Sequence, residues 1–472
     1  MEEGESKTGV NIRLTLADGV TMESPATTQA DYDLTTTALI KLLADDRQVV
    51  FTIKAGVYEN KQPYEILSKA LVIGIWVPPQ PHLLVAENDI KMRFQQVADA
   101  GINMVWGNQW TYGADDALTP MVLDACEENG LGFLVSLGIA RSGTGDVSAE
   151  LARSITRVNK YKEHPAVRGF AMNDEPEADA FDRMAQIRSE IDAILPEGKY
   201  VTANLFPNYA SAAQLGSPDY EMHVETYMQK VQPQVLSFDH YPLTSSNNIE
   251  DRRSRDLIFV SNLITIRNAS VKYDVPFWGF VQAIGWSGMR EPTLDEYRWL
   301  CNAHIAFGAK GFSYFLYAQP YIGGGGEGFT NAMLDWNGNT TYLYDYAKNI
   351  NKELAAFTHV VMPAEQDGFI LVNQNEQMTA TIPANLRKTA YGNLSQIEST
   401  GGMLNGCFDL NGQKAVYLFN WGKENSINTR LIFNKNATFE LWGKDGLEKE
   451  QTATELNVSF LPGEAKFLIF YP

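Results

Sequence analysis

The sequence predicts an α/β chain: a (β/α)8 barrel, or TIM barrel, with a C-terminal all-β sandwich domain and a short N-terminal β-containing segment. Three observations carry that prediction. From about residue 70 to residue 357, short apolar runs alternate with amphipathic stretches eight times. Beyond Phe357 the pattern changes to short alternating segments parted by turn residues. No G-x-G-x-x-G follows the first apolar run, so an open doubly wound sheet lacks its usual signature. The expected boundaries are 1–69 for the N-terminal segment, 70–360 for the barrel and 361–472 for the β-module.

The first strand is Leu71 to Val77. The helix after it, Asn88 to Ala100, places Ile90, Phe94, Val97 and Ala98 at helical spacing. Strands two and three are Ile102 to Trp106 and Gly132 to Leu137, with a helix near Leu118 to Asn129 between them. A helix from Val147 to Lys162 leads to strand four, Val167 to Met172, and one near Ala178 to Leu195 leads to strand five, Tyr200 to Asn204. A helix near Tyr220 to Val231 precedes strand six, Gln234 to Phe238. The longer stretch Glu250 to Lys272 precedes strand seven, Pro276 to Val281. Leu294 to Phe307 leads to strand eight, Lys310 to Leu316, and the last helix runs from Thr341 to Phe357. Gly101, Gly130 and Gly308 stand at helix ends as stop signals. Strands that alternate with helices pair in parallel, and eight units over about 290 residues fit a closed barrel. The glycine run at 323–326 follows strand eight and opens no helix, so it reads as a loop. In the β-module the expected strands are Gly368–Val372, Lys414–Asn420, Thr429–Phe433, Ala437–Trp442 and Ala465–Phe470. Asn11–Thr15 and Val49–Lys54 also read as strands, whereas Asp33–Leu43 fits helix or strand equally.

Composition narrows the function. Of 472 residues, 44% are hydrophobic, enough for a large core without a disulfide or metal. The 38 basic and 57 acidic residues leave a net charge of -19, which repels a phosphate backbone and anionic lipid. Nucleic acid is therefore not an expected partner, and an uncharged sugar is compatible. Cys126, Cys301 and Cys407 are far apart and odd in number, which argues against a disulfide framework or a cysteine metal site. The six histidines show no H-E-x-x-H spacing, so no catalytic metal is expected, nor any cofactor. No apolar run approaches the ~18 residues of a membrane span. The first residues lack the basic and apolar regions of a leader. Cytoplasmic residence, or export with the leader removed, both fit. Nothing in the sequence fixes an oligomeric state.

In such a barrel, chemistry sits at the C-terminal ends of the strands. Strand two is followed by Asn108, Trp110 and Tyr112, and strand four by Asn173-Asp174-Glu175-Pro176. Strand five gives Asn204 and Phe206, strand six Asp239-His240-Tyr241, and strand seven Gln282 and Trp286. Strand eight gives Tyr317, Gln319 and Tyr321, then a loop with Glu327, Asp335 and Trp336. Amides and His suit sugar hydroxyls, and Trp and Tyr suit the apolar C–H faces. Asn173, Asn108, Trp110, Tyr112, Asn204, His240, Tyr241, Gln282, Trp286, Tyr317 and Trp336 are therefore the candidate carbohydrate contacts. Cleaving a glycosidic bond takes two carboxyl groups, one of which protonates the leaving oxygen. Glu175 is placed for that role. Acids also favour helix N-termini, so Asp174 and Glu175 would equally suit a cap. The Asn-Asp-Glu-Pro setting at the end of strand four favours catalysis. Trp76, Trp106 and Trp278 lie within strands and are expected to pack.

The phrase Gly169-Phe-Ala-Met-Asn-Asp-Glu-Pro176 resembles the fourth strand of the clan A glycoside hydrolases, which include the family 42 β-galactosidases and many endoglycanases. There Asn-Glu-Pro or a close variant ends the strand and the Glu is the acid/base, a role the resemblance implies for Glu175. Here Asp174 is an extra residue. Ser237–Pro242, Pro276–Gln282, Gly308–Phe315 and Asp335–Tyr342 resemble a group of uncharacterised bacterial barrel proteins identified as glycoside hydrolases. The likeness runs from about Leu71 to Leu354. It implies cleavage of an oligo- or polysaccharide and a periplasmic or cell-surface location.

One position departs from the clan. Its nucleophilic Glu ends strand seven, where this chain has Gln282, and an amide cannot form the glycosyl ester. Asp239 on strand six is the expected second carboxylate, a pairing similar to that of the α-galactosidases. Asp174-Glu175 is also similar to the pair of the family 20 hexosaminidases, in which the substrate's acetamido group attacks. Glu327 or Asp335 is a third option. A catalytically inactive carbohydrate-binding barrel is the alternative from another class. A Schiff-base lyase is disfavoured because Lys310 begins strand eight instead of ending it.

Overall fold

The computed structural model describes residues 70–107, 117–143, 146–320 and 328–471, with the backbone of five strands earlier in the chain. The chain divides at Pro63 into two units. In the first, β1 (Val10–Arg13) pairs antiparallel with β3 (Gln29–Tyr32). β4 (Ala38–Ala44) lies between β2 (Val20–Ser24) and β5 (Arg47–Ile53), antiparallel to both. The stretch that fits helix or strand equally by sequence is thus extended from Ala38 onward.

The second unit opens with the barrel strands. They are β6 (Val72–Ile75), β7 (Met104–Trp106), β8 (Gly132–Ser136), β9 (Val167–Asp174), β10 (Tyr200–Leu205), β11 (Leu236–Phe238), β12 (Phe277–Gln282) and β13 (Gly311–Phe315). Each pairs in parallel with the next, and β13 pairs with β6 to close the barrel. The helices that follow them are α1 (Glu87–Asp99), α2 (Thr119–Glu128), α3 (Val147–Tyr161), α4 (Phe181–Asp192), α5 (Tyr220–Lys230), α6 (Ile249–Tyr273), α7 (Leu294–Ala306) and α8 (Tyr342–Ala355). Five of these helices start on a side chain that accepts a first-turn N–H: Asp146, Asp219, Asn248, Thr293 and Thr341. Ile90, Phe94 and Val97, the apolar stripe read from the sequence, are the buried residues of α1.

Alternate residues of a barrel strand face the interior or the helices. Val72, Trp76, Met104, Trp106, Ala171, Trp278 and Phe280 share one interior cluster. Trp106 lies 5.4 Å from Trp76 and 6.4 Å from Trp278, ring centre to ring centre. Its Nε1 donates to Ser313 Oγ at 2.8 Å, a bond that passes Gly74, where a Cβ would collide with that hydroxyl. The three strand tryptophans therefore fill the barrel, as expected, and leave the chemistry to the strand ends.

The C-terminal module comprises β14 (Glu365–Val372), β15 (Leu394–Ser399), β16 (Met403–Leu410), β17 (Gln413–Phe419), β18 (Ile427–Gly443), β19 (Gly446–Phe460) and β20 (Ala465–Tyr471). They form one antiparallel sheet, ordered β14-β16-β17-β20-β18-β15, with β19 on β18. The two strands expected at Thr429–Phe433 and Ala437–Trp442 are one long strand with an irregularity between Ile432 and Ala437. Its first half pairs with β15 and its second with β20. Leu394, Val416, Leu431, Phe439 and Leu468 form the module's own core. Phe369, Phe408, Tyr417 and Phe467 belong instead to the core shared with the barrel. Among the described residues, no helix is long and apolar enough to cross a membrane.

Candidate active site

The site is built on β9. Ala171 pairs with Thr202, but Asp174 pairs with Asn204, so β9 spends one extra residue across a bulge. The slip decides which side chains reach the mouth. Ala171 faces the interior, whereas Met172 joins the helix-side core. Asn173 turns the same way as Met172, its Nδ2 donating to Ala140 O at 3.2 Å and contacting Met184 Sδ at 3.8 Å. Asp174 then returns to the interior face. Glu175 follows with φ +48°, a left-handed conformation that costs a β-carbon residue about 1 kcal/mol. Its N–H donates to Asn204 O at 2.8 Å, which holds the turn. The side chain lies at the rim, 27% exposed, with Oε2 3.2 Å from Arg141 Nη2. Arg141 Nε also donates to the Glu175 carbonyl at 3.1 Å.

Asn204, next to last in β10, joins the acids. Its Nδ2 donates to Asp174 Oδ1 at 3.2 Å and to Asp239 Oδ1 at 3.1 Å. Its Oδ1 accepts from Ser237 Oγ at 2.9 Å. That hydroxyl fixes the amide with its donor side toward both carboxyls. Strands four, five and six are thereby tied through one side chain.

Burial is the leading influence on all three acids. Burial, then the charge of Asp174, pushes the Glu175 carboxyl up to about 7, against the opposing pull of Arg141. Burial raises Asp174 as well, although the Asn204 bond and Arg141 act the other way. Asp239, only 7% exposed, is pushed well above the ordinary carboxylate range by burial, then by Glu175 and Asp174. Burial and mutual repulsion both oppose ionising all three carboxyls at once.

An aromatic wall stands beside the acids. Tyr241 meets Trp286 edge-on at 5.0 Å, and Trp286 lies 5.4 Å from Phe315 and 6.4 Å from Phe329. Tyr209 completes the flank, packed on His240 at 4.9 Å.

Other expected contacts go elsewhere. His240 is fully buried on the helix side, its Nδ1 2.9 Å from Asn262 Oδ1, and burial pushes its imidazole down to about 3. Strand alternation explains this: with Asp239 turned in, His240 must turn out. Tyr317 is likewise fully buried in the core shared with the helices. Gln282 is buried and committed. Its Oε1 accepts from Leu243 N at 3.0 Å, and its Nε2 donates to Leu243 O at 3.1 Å and Arg290 O at 2.8 Å. It stitches the loops after β11 and β12 together, with both amide hydrogens committed and the side chain fully buried. Trp336 stacks on His82 at 3.8 Å, and Asp335 accepts from Asn339 N at 2.8 Å within its own turn. Asn108, Trp110, Tyr112, Tyr321 and Glu327 lie outside the described residues. Among the described residues, no group of three His, Cys, Asp or Glu is arranged to hold a metal ion.

No known family pattern and no curated protein matches the sequence. Solved structures do match. The β-galactosidase of Bacillus circulans sp. alkalophilus superposes with a TM-score of 0.59 at 9% identity, over 86% of this chain and 100% of that one. A family 39 glycoside hydrolase from Bacteroides cellulosilyticus WH2 matches over 92% of this chain and 87% of its own, at 11% identity and a TM-score of 0.48. The likeness to the β-galactosidase is one of fold, a (β/α)8 barrel.

On that fold, sequence reasoning overlooked Arg141, Ser237 and Tyr209. Arg141 closes the run Leu137-Gly-Ile-Ala-Arg141 that leaves strand three, and reading past that strand end would have reached it. Ser237 lies two residues before Asp239, so the two share a face by alternation. Tyr209 lies within the β10–α5 connection, where no periodicity marks a side chain's direction.

Proposed function

We propose that the protein is a glycoside hydrolase that cleaves a glycosidic bond in an oligo- or polysaccharide. The observation that carries this is the meeting of three carboxyl groups at the ends of β9 and β11: Asp174 and Asp239 on the Asn204 amide, and Glu175 beside Asp174 at the rim. Glu175 is the general acid. It sits at the rim, and its proton affinity near neutrality suits an acid that must be loaded and still donate. It gives its proton to the glycosidic oxygen as the bond from that oxygen to the anomeric carbon breaks. Asp239 is the second carboxylate. With a proton on Glu175, the charge that most opposes its ionisation after burial is gone. Its carboxylate then attacks the anomeric carbon or takes a proton from the attacking water. Trp286 and Tyr241 offer an apolar face to the sugar ring. Arg141 beside Glu175 motivates a second reading with the two roles exchanged, since a guanidinium favours the carboxylate anion.

Leaving-group dependence separates these readings. In Glu175→Gln, turnover of substrates with poor leaving groups is expected to fall about 10³-fold, while 2,4-dinitrophenyl glycosides, which need no acid, lose little. In Asp239→Asn both substrate types are expected to fail. The reverse pattern assigns the exchanged roles. Unchanged turnover in Glu175→Gln, or no hydrolysis of any glycoside by the unmodified protein, overturns the proposal.

A further inference from the structure

We infer that Arg141 is a recognition point for an anionic group on the sugar, so that the ligand of this site is an acidic glycan bearing hexuronate or sulfate. This deepens the glycosidase reading and rests on it for the bond that is cleaved; capture of the anion stands apart from turnover.

Arg141 is held more firmly than a solvated surface arginine requires. Its carbonyl accepts from Glu177 N at 2.8 Å. The neighbouring carbonyl of Ala140 accepts from Arg183 Nη2 at 2.7 Å, and Ala140 N donates to Glu150 Oε1 at 3.0 Å. Arg183 and Glu150 are themselves an ion pair at 3.0 Å, with side chains 4% and 5% exposed. Arg183 also donates to Ser142 O. A buried ion pair thus grips the carbonyls on both sides of Arg141. Losing either member would leave a buried charge unpaired, so each holds the other, and with it the backbone around Arg141, in place. The guanidinium itself rests 5.0 Å from the Phe206 ring centre, which fixes its plane.

Among the described residues, fewer than half of the donors of that guanidinium are used. Nε and Nη2 face the carbonyl and carboxyl of Glu175. Nη1 has no protein partner among the described residues, and the side chain is 51% exposed. One edge of the fork is therefore tied down and the other is open at the rim of the acid cluster. A guanidinium presents its donors in a plane that matches a carboxylate or sulfate oxygen pair. When Glu175 carries its proton, as an acid must before reaction, Arg141 loses its nearest counter-charge. An anionic sugar substituent would supply one.

The test is NMR-detected titration of the intact protein with four probes: methyl glucuronoside, methyl galacturonoside, glucose 6-sulfate and methyl glucoside. At least one acidic probe is expected to bind 10-fold or more tightly than the neutral glucoside. In Arg141→Met that preference is expected to fall to within about twofold of unity. Arg141→Lys should keep part of the preference, which rules out mere loss of folding. Preference for the uronates identifies a carboxylate site, and preference for the sulfate ester a sulfate site. Equal binding of all four probes, no binding of any acidic probe, or a preference that survives Arg141→Met overturns the inference. Arg141-dependent binding without hydrolysis of any glycoside would sink the glycosidase reading and leave the anion site standing. Hydrolysis of neutral glycosides without acid preference would do the opposite.

Discussion

Glu175 combines a disfavoured backbone with a carboxyl held up to about 7, and each has a measurable consequence. The charged groups that face it are Asp174, Arg141 and, through the shared cluster, Asp239. As the acid, Glu175 must be protonated, so kcat is expected to decline as pH rises through about 7. A flat profile to pH 9 would exclude it. The same shift acts on stability. A raised carboxyl stabilises the fold below its ordinary value of 4.5, and that contribution is lost as pH rises through about 7. Glu175→Gln should therefore melt above the unmodified protein at pH 8, with the gap closing near pH 4.5; a gap independent of pH would contradict this. Asn204 gives a second prediction. Its Nδ2 favours ionised Asp174 and Asp239, so Asn204→Ala should move the acidic limb of the rate profile to higher pH, and an unmoved limb would show that the bonds carry nothing. At this scale the sequence was partly legible. Glu175 and Asp239 stood out because few side chains can do the chemistry and both close strands. Asn173 was unreadable, because a register slip between β9 and β10 leaves no mark in composition. His240 was readable by alternation from Asp239.

Elements show where an apparent defect becomes a structural part. At strand seven, Gln282 stands where the clan A enzymes that the sequence resembles carry a nucleophilic carboxylate, and that much was visible in the sequence. Its use as a clamp was not, because one partner, Leu243, lies 39 residues back along the chain and the other, the Arg290 carbonyl, lies in an irregular loop. Restoring a carboxylate there should not restore a nucleophile. In Gln282→Glu the new oxygen would face Leu243 O and Arg290 O with nothing to donate, in a fully buried position. Leaving such groups unpaired costs about 1–3 kcal/mol each, more with charge. A drop of about 3 kcal/mol in denaturant unfolding is expected, with no gain in turnover; an active variant of unchanged stability would refute the clamp. The same limit of local reading appears in β18. Its two halves look like separate strands by pattern, since the irregularity between Ile432 and Ala437 interrupts the alternation. Only the pairing with β15 and β20 joins them.

For the whole molecule, the β-module behaves as a wall of the barrel. Every residue of α7 from Glu296 to Ala306 is buried, which an outer barrel helix with one face in water would not allow. The second face is covered by the module. Asn302 Nδ2 donates to Gly463 O at 2.8 Å and its Oδ1 accepts from Tyr417 Oη at 2.6 Å. Lys423 pairs with Asp256 at 2.6 Å, its ammonium 4.1 Å over Trp299. Arg298, with a side chain 6% exposed, bonds Glu353 at 2.9 Å and donates to Pro462 O at 3.3 Å. This joint was invisible to periodicity, which reports how apolar a face is and not what covers it. Because the two modules share one core, their unfolding is coupled. Calorimetry of residues 64–472 is expected to give a single transition, and a chain cut after Phe357 should be insoluble, with Trp299 and Phe307 laid bare. Arg298→Met strands the half-buried Glu353 carboxylate, a loss below the ~3–5 kcal/mol of a fully buried pair because solvent still reaches the carboxylate. It should lower that one transition while leaving KM unchanged, since Arg298 bonds only α7, α8 and the β-module. Two resolved transitions, or a soluble active barrel without the module, would make the sheet a separate appendage and remove its part in holding the site.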